Sequence, residues 1–149
     1  MEIAHIRHAD LSRRDLPRLL ITAAALMQAV APWAADWNRR HTFGPGYGAH
    51  ARWHGAAEVV AATGDAALML WLLWGRNSDR DWPIQTAALL PTIRWGAFNV
   101  VLAVPSTSPH DDPSRPMRFA GLPAALVAQN TIAGTALLGL WLHRRRRST

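Results

Sequence analysis

The chain has 149 residues, half of them hydrophobic, and a formal net charge of +6 at neutral pH. This length predicts a single domain with a packed core. The absence of cysteine excludes disulfides, thiolate catalysis and cysteine-ligated zinc. The arginines lie mostly outside the apolar stretches and are not interleaved with base-stacking aromatic residues, so we predict no nucleic-acid partner.

Four long apolar segments predict an all-α integral membrane four-helix bundle, organised as one membrane domain over residues 1–149. The first and fourth segments carry no charge over most of their length. The second and third are interrupted by charged residues, so a soluble bundle with buried helices is the alternative. The approximate spans are 16–37, 54–74, 82–104 and 119–142.

The positions of arginine and tryptophan predict the topology. Four spans place both termini and the link between the second and third helices on one side of the membrane. That side would hold ten of the sixteen arginines, namely Arg7, Arg13, Arg14, Arg18, Arg76, Arg80 and Arg144 to Arg147. Because arginine concentrates on the cytoplasmic side, we expect cytoplasmic termini in a multi-pass protein of the bacterial inner (cell) membrane. The tryptophans near the ends of the spans fit two interfacial belts: Trp33, Trp37 and Trp53 outside, and Trp71, Trp74, Trp82 and Trp141 inside.

A stripe of ionisable residues runs along the second span. His50, His54 and Glu58 follow one another at intervals of four residues, and Asp65 lies two helical turns beyond Glu58. His54, Glu58 and Asp65 therefore share one face of a helix. Such residues are costly in lipid and uncommon without a reason, so the stripe is expected to face the interior of the bundle.

Counting from the interfacial tryptophans puts a polar residue of every span at the bilayer centre. Asp65 and Arg94 lie there, and an isolated charge at that depth would cost at least about 2–3 kcal/mol, so we predict that they pair. The amides at the same level would complete their hydrogen bonds: Gln28, Gln129 and Asn130. The alternative is that this layer only fixes helix register and association.

A second polar layer is predicted about two turns nearer the outer face. It would comprise His50, His54 and Glu58, together with Asn99 and the loop residues Asp36, Asn38 and His41. The two layers together would form a polar cavity that opens outward, and the loop over residues 38–54 would cap it.

These residues suit acid/base catalysis on a lipophilic small molecule, by epoxide hydrolysis, cyclisation or isomerisation. Asp65 and Glu58 would be the acid and base, Arg94 would orient Asp65, and His54 would relay protons. No cofactor and no metal are expected. The other expected partners are membrane lipids, and self-association is left open. Water or substrate would be positioned by Asn99, Gln129, Asn130, Gln28, His50, Asn38 and His41.

Two other functions are compatible with the same residues. His50, His54 and Glu58, completed by His41 or Asp36, have a spacing that suits a divalent metal ion, although Arg52 lies between the histidines. The second of these functions is a non-catalytic role, as a membrane subunit or as a ligand-binding or transport protein.

Residue types and one loop carry resemblances to known proteins. An Asp–Arg pair with an amide to position water resembles the constellation of limonene-type epoxide hydrolases, and a His–Glu pair in membrane helices resembles sterol-isomerase chemistry. The loop Asn38-Arg-Arg-His41-Thr-Phe43-Gly-Pro, followed by His50-Ala-Arg52-Trp-His54, resembles that of small four-helix membrane proteins of DoxX-like type. That resemblance implies four helices and a role for His41, His50, Arg52 and His54. Here Gly-Pro-Gly-Tyr-Gly replaces a Trp-Pro-Pro type of turn.

Overall fold

The computed structural model describes residues 8–76, 78, 80–110, 112 and 114–148, with side chains from residue 16 onward. Arg7 and the side chains of Arg13 and Arg14 therefore lie outside the described residues. Within them the chain forms four helices and one short hairpin, which confirms the predicted all-α architecture. The elements are α1 (His8–Ala35), α2 (Ala49–Trp74), α3 (Asp81–Val101), β1 (Arg118–Phe119), β2 (Leu122–Pro123) and α4 (Ala124–Arg147).

The helices form an up-and-down bundle in which each packs antiparallel to the next. The Trp74 indole donates to the Thr22 hydroxyl at one end of α1 and α2, and the Trp33 indole to Thr63 towards the other. The start of α1 meets the end of α4, and α1 also contacts α3 across the bundle. The described start of α1, the α2–α3 link and the end of α4 therefore lie at one end of the bundle, which we call the inner end.

Small residues set how closely the helices approach. Alanines on α1, α2, α3 and α4 fill the core between Ile21, Met69 and Trp95. At Gly139 a Cβ atom would lie 2.7 Å from Ile21 Cγ1 and 2.8 Å from the Pro17 carbonyl oxygen. Backbone contact of this kind is how helices associate in membranes, where small residues replace the hydrophobic effect as the basis of packing.

The fourth helix begins later than its predicted span. Residues 118–123 form the β1–β2 hairpin instead, with Arg118 opposite Pro123. Its turn residues Ala120 and Gly121 have φ of 49° and 83°, the left-handed conformation that a two-residue hairpin turn requires and that glycine adopts without strain. Because a helix cannot pass through two such residues, α4 begins at Ala124 and not at Phe119.

Within the described residues, three helices are long and apolar enough to cross a membrane: α1 over Leu16–Ala35, α2 and α4. The helix α3, which carries Asp81, Arg94 and Asn99, is not among them. The outward faces are nevertheless apolar on all four helices, and the exposed side chains include Leu26 and Val30 on α1, Val60 and Leu68 on α2, Leu89 and Val100 on α3, and Leu137 and Leu138 on α4. Exposed apolar surface of this extent is unusual for a soluble monomer.

Candidate functional site between helices α2 and α3

Two carboxylates lie on one face of α2 because of their spacing. Glu58 and Asp65 are seven residues apart, which is close to two full turns. The alanine-rich segment around them favours a helix. Val59, Ala62 and Ala66 are buried and direct another face of α2 into the bundle. The two carboxylates are consequently directed to its side, where α3 runs past.

Arg94 of α3 binds both carboxylates. Its Nε donates to Asp65 Oδ2 over 2.8 Å, and its Nη2 lies 2.7 Å from the same oxygen. Its Nη1 donates to Glu58 Oε1. The predicted pairing of Asp65 with Arg94 is therefore confirmed, and Glu58 joins it. The side chains are 16% exposed for Arg94, 31% for Asp65 and 44% for Glu58.

The three charged groups line a groove between α2 and α3. Its volume is about 490 Å³, within the usual range for small-molecule sites. We call it the α2–α3 groove. It opens at the side of the bundle, because Ile93 and Val101 are exposed. The remaining lining is apolar and belongs to α3: Leu90, Ile93, Ala97, Phe98 and Val101.

These apolar residues were missed in the sequence, although their spacing carries a signal. They lie three, four or seven residues from Arg94 or from one another, so they share its face of α3. Helical counting from Arg94 finds them. Counting depth alone does not, since depth says nothing about the direction in which a side chain leaves its helix.

The expectation that amides at the same level complete the hydrogen bonds of Asp65 and Arg94 is wrong for Gln28. This side chain is fully buried at the centre of the bundle. Its Oε1 accepts from the Trp95 indole over 2.9 Å, and its Nε2 donates to the Ala62 carbonyl over 3.3 Å. Gln28 therefore ties α1 to α2 and α3 and fills the centre where a polar shaft was expected.

Neither of the other two amides at that level, Gln129 and Asn130, hydrogen-bonds to Asp65 or Arg94 in the described part of the chain. Asn99 and Asn130 exchange two hydrogen bonds, of 3.0 and 3.1 Å, that join α3 to α4. Gln129 Oε1 is buried and has no hydrogen-bond partner within the described part of the chain. None of these three lines the α2–α3 groove, so the assignment as water- or substrate-positioning groups there does not fit the geometry.

His50 and His54 contact each other near the outer end of α2. Their Nε2 atoms are 3.1 Å apart, and both rings are exposed. The ring of His54 also packs edge-on against Trp53, with centroids 4.8 Å apart. His54 thus hydrogen-bonds to His50 and Glu58 to Arg94, so no direct relay from His54 to Glu58 is formed.

The predicted metal-binding set is not brought together. Among the described residues, no group of three or more histidines and carboxylates is close enough to hold a metal ion. His50 and His54 are adjacent, but Glu58 is held by Arg94 instead. Metal binding at these histidines stays a prediction.

The loop between α1 and α2 is built by the residues of the Asn/His/Arg motif. Asn38 donates to the Ala35 carbonyl at the end of α1, over 2.6 Å, and accepts from the Arg40 and His41 amides. The ring of His41 hydrogen-bonds to the Tyr47 hydroxyl over 3.1 Å. Arg52 donates to the Thr42 and Tyr47 carbonyls. These contacts give Asn38 and His41 a structural part in the loop, and neither lines the groove.

The inner end of the bundle carries a second ionic cluster that the sequence did not reveal. His143 Nε2 lies 3.0 Å from Asp81 Oδ1, and Arg147 pairs with the same carboxylate. Arg18 donates to the Ser78 carbonyl. The cluster joins the end of α4 to the start of α3, as an anchor of the bundle.

No protein-family model, curated protein or solved structure matches this chain. The functional argument therefore rests on the residues of the site itself.

Proposed function

We propose that this protein is a membrane-embedded acid/base enzyme that acts on a lipophilic small molecule in the α2–α3 groove. The observation that carries the proposal is the bridging of Glu58 and Asp65 by Arg94 beside an apolar groove of about 490 Å³. A substrate that lies against Phe98 and Val101 in this groove would have its own atoms close to both carboxyl groups.

The charge of the site supports an acid and a base in one place. Two carboxylates and one guanidinium carry a formal charge of −1 when all are ionised. In an acid/base reaction, one of the two carboxyl groups would donate a proton and the other would accept one. Arg94, which binds both, would hold the two groups beside the same substrate.

Double-bond isomerisation, or epoxide opening without water as in a cyclisation, fits these groups better than epoxide hydrolysis. In an isomerisation, the carboxyl group transfers its proton to one carbon of a double bond, and the carboxylate removes a proton from the carbon attached to the other end of that double bond. The double bond moves, and the site regains one proton for the one it gave. Hydrolysis also needs a positioned water, and the amides predicted for that task hydrogen-bond elsewhere or lie outside the groove.

The membrane setting is part of the proposal. We place all four helices across the bacterial inner membrane, with the inner end of the bundle and both termini on the cytoplasmic side. Support comes from the three helices of spanning length, from the apolar outward face of α3, and from the arginines at the inner end. The α2–α3 groove would then open to lipid, and a lipophilic substrate would enter sideways.

The DoxX-like resemblance of the loop is compatible with this four-span arrangement and supplies no reaction. A non-catalytic ligand-binding or transport protein would use the same groove.

A second groove, of about 500 Å³, lies between α1 and α4. It is lined by apolar residues and Thr131 alone, and it suits a lipid acyl chain.

The test compares Asp65→Asn and Glu58→Gln with wild-type protein reconstituted in lipid nanodiscs. The protein is incubated with a panel of terpenoid epoxides and alkenes, and products are identified by gas chromatography with mass spectrometry. Loss of one participating acid or base is expected to lower turnover by about 10²–10⁴-fold. Asp81→Asn is the matched control, because Asp81 is a carboxylate at the inner end of the bundle and lies outside the groove.

Full turnover in folded Asp65→Asn and Glu58→Gln proteins would refute the acid/base assignment. Retention of a ligand without turnover in wild-type protein would favour the non-catalytic alternative. Circular dichroism of each variant in nanodiscs establishes that it is folded.

A further inference from the structure

The α2–α3 groove contains more negative than positive charge, and this excess defines the ligand it would prefer. We infer that the groove selects lipophilic molecules that carry a positive charge, such as alkylammonium compounds, with Glu58 as the counter-ion. The inference rests on the proposed function, because it concerns the ligand of the same site.

The two carboxylates are not equally satisfied. Asp65 Oδ2 receives both Nε and Nη2 of Arg94, whereas Glu58 receives only Nη1. In the part of the chain that the structure describes, Arg94 is the only group that hydrogen-bonds to the Glu58 carboxylate. Glu58 is also the more exposed of the two. It is therefore the carboxylate with capacity for a further positive partner.

The groove itself offers no second cation. Its described lining residues include one basic side chain, Arg94, against two acidic ones. A cationic ligand would balance the excess negative charge of the groove. The lining beyond the charges is apolar, so the ligand must combine its charge with a hydrophobic body.

An aromatic ring adds to the preference for a cation. Phe98 lines the groove and stacks against Trp95, with ring centroids 5.8 Å apart and planes 21° apart. Stacking on Trp95 holds Phe98 in position, and an aromatic face attracts a cationic head group. The same charge excess would stabilise a substrate that becomes positively charged on carbon when Glu58 or Asp65 protonates it.

The test uses decyltrimethylammonium and its uncharged carbon isostere, 2,2-dimethyldodecane, which share one shape and differ in charge. Full-length protein is placed in phosphatidylcholine nanodiscs, and the ligand retained beyond that in empty nanodiscs is quantified by mass spectrometry. We expect the affinity of the wild-type protein for the cation to exceed its affinity for the isostere by about tenfold or more.

Glu58→Gln should reduce this preference to near unity and leave binding of the isostere unchanged, whereas Asp81→Asn should leave both unchanged. Equal binding of cation and isostere by wild-type protein would overturn the inference and leave the proposed function intact. Binding of neither probe beyond empty nanodiscs would count against both. An unaltered cation preference in Glu58→Gln would overturn the role of Glu58. The comparison of cation and isostere binding to wild-type protein needs no variant, so it tests the inference even if Glu58→Gln does not fold.

Discussion

Replacing Arg94 by methionine tests whether the α2–α3 groove faces lipid. Methionine keeps much of the length of the side chain and removes the guanidinium, so the formal charge of the site changes from −1 to −2. Arg94 is the best buried of the three charged residues, with 16% of its side chain exposed. The two carboxylates on α2 would lose the group that holds them both.

The size of the effect depends on what fills the groove. If water fills it, the partly exposed ion pairs are screened and the loss should be under about 1 kcal/mol. If lipid fills it, the exposed fractions of Glu58 and Asp65 face hydrocarbon, and removing one partner of an apolar ion pair costs about 3–5 kcal/mol. We expect the free energy of unfolding to fall by about 3 kcal/mol for Arg94→Met in bilayer-like micelles.

The assay is equilibrium unfolding by a denaturing detergent, followed by circular dichroism. The control is the uncharged triple variant Glu58→Gln, Asp65→Asn and Arg94→Met, which should return to within about 1 kcal/mol of wild type because it leaves no unpaired charge. A fall below about 1 kcal/mol for Arg94→Met would refute the lipid-facing groove. An equal loss in the triple variant would show that packing, and not charge, causes the effect.

Three further variants test the packing of the bundle in the same unfolding assay. Gly139→Ala should lower the free energy of unfolding by about 1–3 kcal/mol through overpacking, whereas Gly134→Ala, where a Cβ meets open space, should be neutral or stabilising; equal effects would contradict this. Gln28→Leu should cost about 1–3 kcal/mol by leaving the Trp95 indole without an acceptor, and strict additivity with Trp95→Phe would contradict their coupling. Thr42→Val should be neutral or stabilising by up to about 1 kcal/mol, since the Thr42 hydroxyl is buried without a described partner. A clear loss of stability would contradict this and would indicate that the hydroxyl binds a water molecule.

The candidate site could be predicted where it depends on local geometry. Glu58 and Asp65 share a face because seven residues make nearly two helical turns, whatever the surrounding fold. The partnership of Asp65 with Arg94 followed from depth and opposite charge. The apolar lining could also have been found, because it occupies the same face of α3 as Arg94.

The direction of each helix face could not be predicted from depth. Gln28 and Asn130 share a predicted level with Arg94, yet Gln28 fills the centre and Asn130 pairs with Asn99. Rotation of a helix about its axis depends on packing with its neighbours, including close approaches such as that of Gly139 to Ile21. A rotation of a fraction of a turn decides whether a polar residue reaches the groove or the core.

By itself, the sequence determined the number of helices, their approximate positions and the carboxylate face of α2, because apolar periodicity and helix geometry act locally. Only the tertiary structure decided that the charged groups lie at the side of the bundle and not in a central shaft. The reason is that Ala62, Ala66 and Trp95, tied by Gln28, occupy the centre of the bundle among the described residues. The ion pairs of Arg94 therefore lie in the groove between α2 and α3.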